Sequence, residues 1–278
     1  MQRDTEDSRL RIAIAGEDQA HRVLATNLID AAILERARGG WPEPAELSQC
    51  RIYCGLCVPD DAPTYEHYYP FQTLDADLRA HFGKKPFRVT RIGDQPANQA
   101  TWFISLYQLF ALTQPRPDIL VGMRDTNDPR LRDDAKRAYR YIIDTHGSAM
   151  TLVFGLIYRD AEAWFVAGLT DVAARIALAK QELSFDPCAE SERLTAQPNS
   201  ALTDAKRVLR FLLSDTPTLA ATPSTALSGA DAEALAERTL RDLDVLAHAA
   251  PSGLGEFIAS LRTLVAPRIL PELRRFER

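Results

Sequence analysis

The chain has 278 residues, 46% of them hydrophobic and 26% charged, with a formal net charge of −5. That length can bury a substantial core, and the composition is ordinary for a globular protein, so fibrous and disordered classes are excluded. No apolar run approaches the roughly 20 residues that cross a bilayer, the polar residues 1–7 lack a secretory apolar stretch, and four cysteines are too few for a disulfide scaffold. The cytoplasm is therefore the expected compartment. The negative balance does not favour a broad basic surface for nucleic acid, although a local basic patch can coexist with it.

Residues 10–16 alternate apolar with polar or small side chains and stop at Gly16, which predicts a short central strand. From Asp18 to about Arg38, the apolar positions Val23, Leu24, Leu28, Ile29, Ala32 and Ile33 recur at helical spacing, with Asp18 as N-cap and Gly39-Gly40 as the stop. Prolines, clustered aromatics and three of the four cysteines break the pattern after Gly39. Residues 39–86 read as an insertion carrying one strand at 51–57 and one helix at 74–82.

Alternation returns at 87–92, predicting a strand, and 97–112 predicts a helix ended by Pro115 and Pro117. Residues 118–123 are almost wholly apolar, as in a strand buried on both faces of a parallel sheet. A basic helix over 130–145, a strand over 150–158 and a helix opening at 160–168 follow. This alternation predicts an α/β fold, a parallel sheet flanked by helices, over residues 8–170. Residues 171–278 read as a mostly helical C-terminal region, with helices at 172–183, 201–213, 230–249 and 254–265.

Ligands bind at the carboxyl ends of the strands in an open parallel sheet. Glu17 directly follows the first predicted strand, and Asp125, Asn127 and Asp128 follow the strand at 118–123. Carboxylates gathered at one edge repel unless a proton or a cation neutralises them, and Mg²⁺ accepts such oxygen ligands while leaving room for a phosphate. Arg124, Arg130 and the basic helix beyond them could hold that phosphate. The commoner reading of such a run is a solvated helix face. For Glu17 the plain alternative is a first-turn helix acid, and for one of the aspartates an N-cap.

Cys50, Cys54 and Cys57 with His67 have part of a zinc pattern, but no second Cys-x-x-Cys pair occurs, and buried free thiols are the simpler reading. Phosphate-binding glycine loops and a nucleophile elbow are absent from the sequence.

A strand ending in Gly-Glu, followed by a strand ending in an aspartate cluster, resembles the Toprim superfamily. The helix Glu162-Ala163-Trp164-Phe165-Val166-Ala167-Gly168 is similar to the Glu-Ala-Trp-Leu-Leu-Ala-Asp helix of uncharacterised bacterial Toprim-like proteins. Lys206 and the Pro251–Phe257 stretch also look similar to that branch, and the likeness covers residues 10–38 and 87–265. Two departures stand out: Asp125-x-Asn127-Asp128 replaces Asp-x-Asp, and Ala-Gly-Glu replaces Glu-Gly-x before the helix.

The resemblance implies a Mg²⁺- or Mn²⁺-dependent nuclease or related phosphotransfer enzyme acting on nucleic acid, as in bacterial phage defence. Glu17, Asp125 and Asp128 would be the catalytic acids. Metal would be held by Glu17, Asp125, Asn127, Asp128 and Glu162, and substrate by Arg124, Arg130 and Lys206. The alternative is a non-catalytic Toprim-like subunit working beside an ATPase, and a homo-oligomer fits either. A third reading is a receiver-like or phosphatase-like protein with Asp125 as nucleophile.

Overall fold

A computed structural model describes residues 9–37, 42–56, 67–83, 91–92, 95–96, 100–126, 130–147, 149–158, 160–194 and 202–273. Strand β1 (Leu10–Gly16) occupies the middle of a parallel sheet. On one side it pairs with β2 (Arg51–Cys54) and β3 (Tyr69–Pro70), and on the other with β6 (Ile119–Thr126). Beyond β6 lies β7 (Thr151–Tyr158), in register from Ile119↔Thr151 to Thr126↔Tyr158. The α/β fold and the helical C-terminal part expected from the sequence are both present.

Two cores sit on the two faces of this sheet. Ile12, Ile14, Val121, Met123 and Val153 point toward α1 (Gln19–Arg36) and the C-terminal helices. Ala13, Ala15, Leu120 and Leu152 point toward α3 (Leu74–Phe82), α4 (Ala100–Leu112) and α5 (Arg130–His146). Alternate side chains along each strand therefore face opposite cores, as a pleated strand buried on both sides requires. Every apolar position of the predicted α1 stripe, from Val23 to Ile33, is buried.

The segment 39–86, read from sequence as an insertion, supplies the short α2 (Leu47–Cys50) and two strands hydrogen-bonded to β1. It is part of the sheet, and prolines around four- and two-residue strands hid this. The strand expected over 87–92 is seen only as β4 (Arg91–Ile92), which pairs antiparallel with β5 (Gln95–Pro96) in a separate small sheet. The rest of that expectation lies outside the described residues.

After β7 come α6 (Ala161–Ala167), α7 (Ala173–Leu183) and α8 (Ala205–Leu213). The single helix expected over 230–249 is two, α9 (Gly229–Thr239) and α10 (Leu243–Ala249). Asp242 makes the break, because its carboxylate caps the backbone N–H groups of Asp244 and Val245 at 3.1 Å each. The chain then continues helically through Pro251–Gly255, α11 (Glu256–Ser260), Leu261–Val265 and α12 (Ala266–Leu273). These helices share one core with α1 and the sheet. Gly168, just after α6, admits no side chain, since a Cβ there would lie 1.9 Å from the carbonyl oxygen of Thr239.

Candidate functional site

Gly16 ends β1, and the chain turns there into α1 through Glu17 and Asp18. Asp18 caps the helix, accepting the backbone N–H of His21 at 3.1 Å. The first turn thereby folds His21 back under the strand end, where its side chain has no exposure. Glycine is required at position 16, because a Cβ would sit 2.7 Å from the His21 Cβ and 3.2 Å from the Tyr68 hydroxyl.

The His21 ring bridges two carboxylates. Nδ1 lies 2.8 Å from Asp18 Oδ1, and Nε2 lies 3.1 Å from Asp125 Oδ1, near the end of β6. An ionised carboxylate only accepts hydrogen bonds, so a ring serving two of them donates from both nitrogens and is an imidazolium. Burial opposes that charge, but the bonds to Asp125 and Asp18 outweigh it and push the His21 pKa up to about 10. Asp18 responds in the opposite sense: burial opposes its charge, yet His21 holds it below the usual carboxylate range.

Glu17 and Asp125 both lie above the usual carboxylate range. Burial raises Glu17, and the charge of Asp125 raises it further, against the pull of His21 and Arg124. Burial likewise raises Asp125, with Asp160 and Asp18 adding to the effect against His21. Both side chains stay partly open, Glu17 at 33% and Asp125 at 27% exposure. Beside Glu17 and Asp18 a cavity of about 660 Å³ opens, lined also by Arg22, His67 and Tyr68.

The end of β7 adds a second acidic pair. Asp160 and Glu162 are each only 3–4% exposed. Lys206, in the first turn of α8, places its Nζ 2.9 Å from Asp160. Burial and the neighbouring Asp160 push the Glu162 carboxyl up to about 8. Its Oε1 accepts the backbone N–H of Leu227 at 3.1 Å. Lys206 keeps its charge: burial works against it, but the hydrogen bond and charge of Asp160, with a smaller pull from Asp125, hold the ammonium.

The structure thus brings Glu17 and Asp125 to one edge, as the sequence suggested. Arg124 joins them, with Nε 3.8 Å from Glu17 and its guanidinium 5.2 Å from the Trp102 ring centre. Arg130 is exposed at the start of α5. Asn127 and Asp128 lie outside the described residues. Glu162, expected as a metal ligand, lies buried at the end of β7, where its Oε1 accepts the Leu227 backbone N–H. Lys206 was expected to hold substrate, but it is paired with Asp160. Trp164 is 1% exposed and packs against Phe257, ring centres 5.8 Å apart, which makes it a core residue. Cys50 and Cys54 are buried free thiols belonging to opposite cores, and Cys57 lies outside the described residues.

Sequence reasoning missed His21 and Asp160. Asp160 carried a usable signal, since it follows β7 at the same topological position that Glu17 holds after β1. His21 had a weaker one, a histidine three residues after an N-cap aspartate.

The molecule is an α/β protein whose acidic side chains converge at the carboxyl ends of β1, β6 and β7. Compared with protein-family models, with curated proteins and with solved structures, the chain matches none. Among the described residues no three His, Cys, Asp or Glu side chains form a ready-made metal cage. The donor chemistry nevertheless fits a hard cation: Glu17 and Asp125 offer partly open carboxylate oxygens.

Proposed function

We propose that the protein is a metal-dependent hydrolase or phosphotransferase of Toprim-like type, acting on phosphodiester bonds of nucleic acid in the cytoplasm. One observation carries the reading. Glu17 and Asp125, on strands that pair side by side, meet at the sheet edge where α/β enzymes bind ligands, and the charge of one raises the pKa of the other.

Glu17 and Asp125 would hold Mg²⁺ or Mn²⁺, with Asn127 and Asp128 next in the chain, and the ion would polarise a phosphoryl oxygen. His21 fixes the orientation of the Asp125 carboxylate from below. Arg124, steadied by Glu17 and Trp102, offers a guanidinium to a phosphate at the same edge. The partly open Glu17 carboxylate, with its raised pKa, suits a base that accepts a proton from attacking water.

A second reading has its own support. His21 already pairs with Asp125, and Lys206 with Asp160, so internal cations meet part of the charge that a metal would neutralise. That arrangement suits a non-catalytic Toprim-like subunit of an ATPase-containing complex.

Cleavage of single- and double-stranded DNA and RNA, with Mg²⁺ or Mn²⁺, separates the two. The hydrolase reading expects metal-dependent cleavage that Asp125→Ala reduces by a factor on the order of 10³, comparable to the loss of one charge-stabilising group. It expects Mn²⁺ binding that the same variant weakens. No cleavage and no saturable Mn²⁺ binding in the wild type, with a candidate ATPase added, would leave the binding-subunit reading standing.

A further inference from the structure

The sheet ends at β7, and among the described residues no strand pairs with its outer side. An edge strand of this length presents a row of backbone donors and acceptors to any extended chain that reaches it. A cavity of about 360 Å³ lies along this edge, lined by residues from both faces of β7. One wall is α5, and the other is the helical stretch from Ser252 to Leu264. Arg132 closes one end by crossing between the walls, donating to the Ser252 carbonyl at 2.7 Å and to Glu256 Oε2 at 2.8 Å.

The open part of the groove has a chemical character. Phe154 and Leu156 of β7 are only partly buried there. Tyr139 and Leu264, on opposite walls, are two of the five exposed large hydrophobic residues among those described, at 38% and 37%. Lys136 and Arg140 continue from Arg132 at four-residue spacing, so all three lie on one stripe of α5. Both are exposed, and neither makes an ion pair among the described residues. A free sheet edge, apolar walls and an unmatched cationic rim coincide in one place.

We propose that this groove is a docking site for an extended acidic segment of another protein, which adds to β7 as a further strand. Its backbone would pair with the β7 edge, apolar side chains at alternate positions would cover Phe154, Tyr139 and Leu264, and acidic side chains would meet Lys136 and Arg140. Charge decides against a second copy of this chain as the occupant. Antiparallel pairing of two β7 edges about a twofold axis sets the two α5 helices side by side on one face, bringing Lys136 and Arg140 against their own copies. An acidic strand meets no such repulsion. The site lies apart from the strand ends and does not depend on the hydrolase reading.

Fluorescence anisotropy on the full chain tests this, with a labelled peptide as long as β7 that alternates valine with aspartate or glutamate. Saturable binding is expected, weakened about tenfold or more by the K136E/R140E variant, as removing complementary charge from a desolvated contact does. Both substitutions are on exposed positions, so an unchanged melting temperature should accompany the loss. A peptide with lysine at the acidic positions, and one N-methylated at alternate backbone amides, should both fail to bind. Equal binding of the N-methylated peptide would overturn strand addition, and equal binding of the lysine peptide would overturn the charge match. Absence of saturable binding, or a dimer in sedimentation that K136E/R140E leaves intact and that blocks the peptide, would also reject the proposal.

Discussion

The two halves of the acidic cleft solve the same problem in different ways. In one, Glu17 and Asp125 stay partly open, and His21 neutralises Asp125 from beneath. In the other, Asp160 and Glu162 are closed off and are fastened to the C-terminal helices through Lys206 and Leu227. Partly open carboxylates are available to a ligand. Closed-off carboxylates tied to a lysine and a backbone amide act as a clasp between the sheet and the helices that cover it.

The clasp should give the largest stability effect. Lys206→Met leaves Asp160 buried without its cation. A loss of about 2–3 kcal/mol is expected in urea unfolding, below the value for a fully buried pair because Lys206 is partly open to water. Adding Asp160→Asn should recover part of that loss, and a double variant no more stable than Lys206→Met alone would show that the pair is not the clasp.

The two halves also differ in where they titrate. His21 has a folded pKa of about 10 against an ordinary 6.5, so its contribution is complete below pH 6.5 and is lost as pH rises through about 10. Glu162, raised from 4.5 to about 8, favours the folded state fully below pH 4.5 and loses that contribution as pH rises through about 8. Melting temperature should therefore decline in two overlapping stages, the lower from pH 4.5 to about 8 and the upper from pH 6.5 to about 10. His21→Asn should remove the upper stage and Glu162→Gln the lower one. A decline unchanged in both variants would assign it to other groups.

The smallest expected effect separates stability from activity. Glu17→Gln relieves the repulsion from Asp125, so stability should hold or rise by up to about 1 kcal/mol, as often happens where a functional group is removed. On the hydrolase reading, the same variant should also lose metal-dependent cleavage. A clear loss of stability would move Glu17 from the open half to the clasp.

What could be read from the sequence follows the same division. Glu17 and Asp125 were legible because each directly follows a strand with a strong apolar pattern, and the strand-end rule needs nothing more. α1 was legible because its buried stripe has helical spacing over several turns. The clasp was not, because Lys206 and Leu227 reach Asp160 and Glu162 only through the packing of α8 and the loop before α9, which no local pattern encodes. For the same reason β2 and β3 read as parts of an insertion. Their membership in the sheet is a matter of pairing with β1, and Arg51–Cys54 is too short to announce it.

The clasp also bears on the order in which the molecule can be completed during synthesis. Asp160 and Glu162 leave the ribosome well before Lys206 and Leu227, so for that interval the end of β7 carries acids without their lysine and amide partners. Contacts between segments so far apart in the chain form late, because loop closure comes first. Maturation of the acidic cleft is therefore tied to the arrival of the last third of the polypeptide, and a nascent chain halted at α7 would have the strands without a finished cleft.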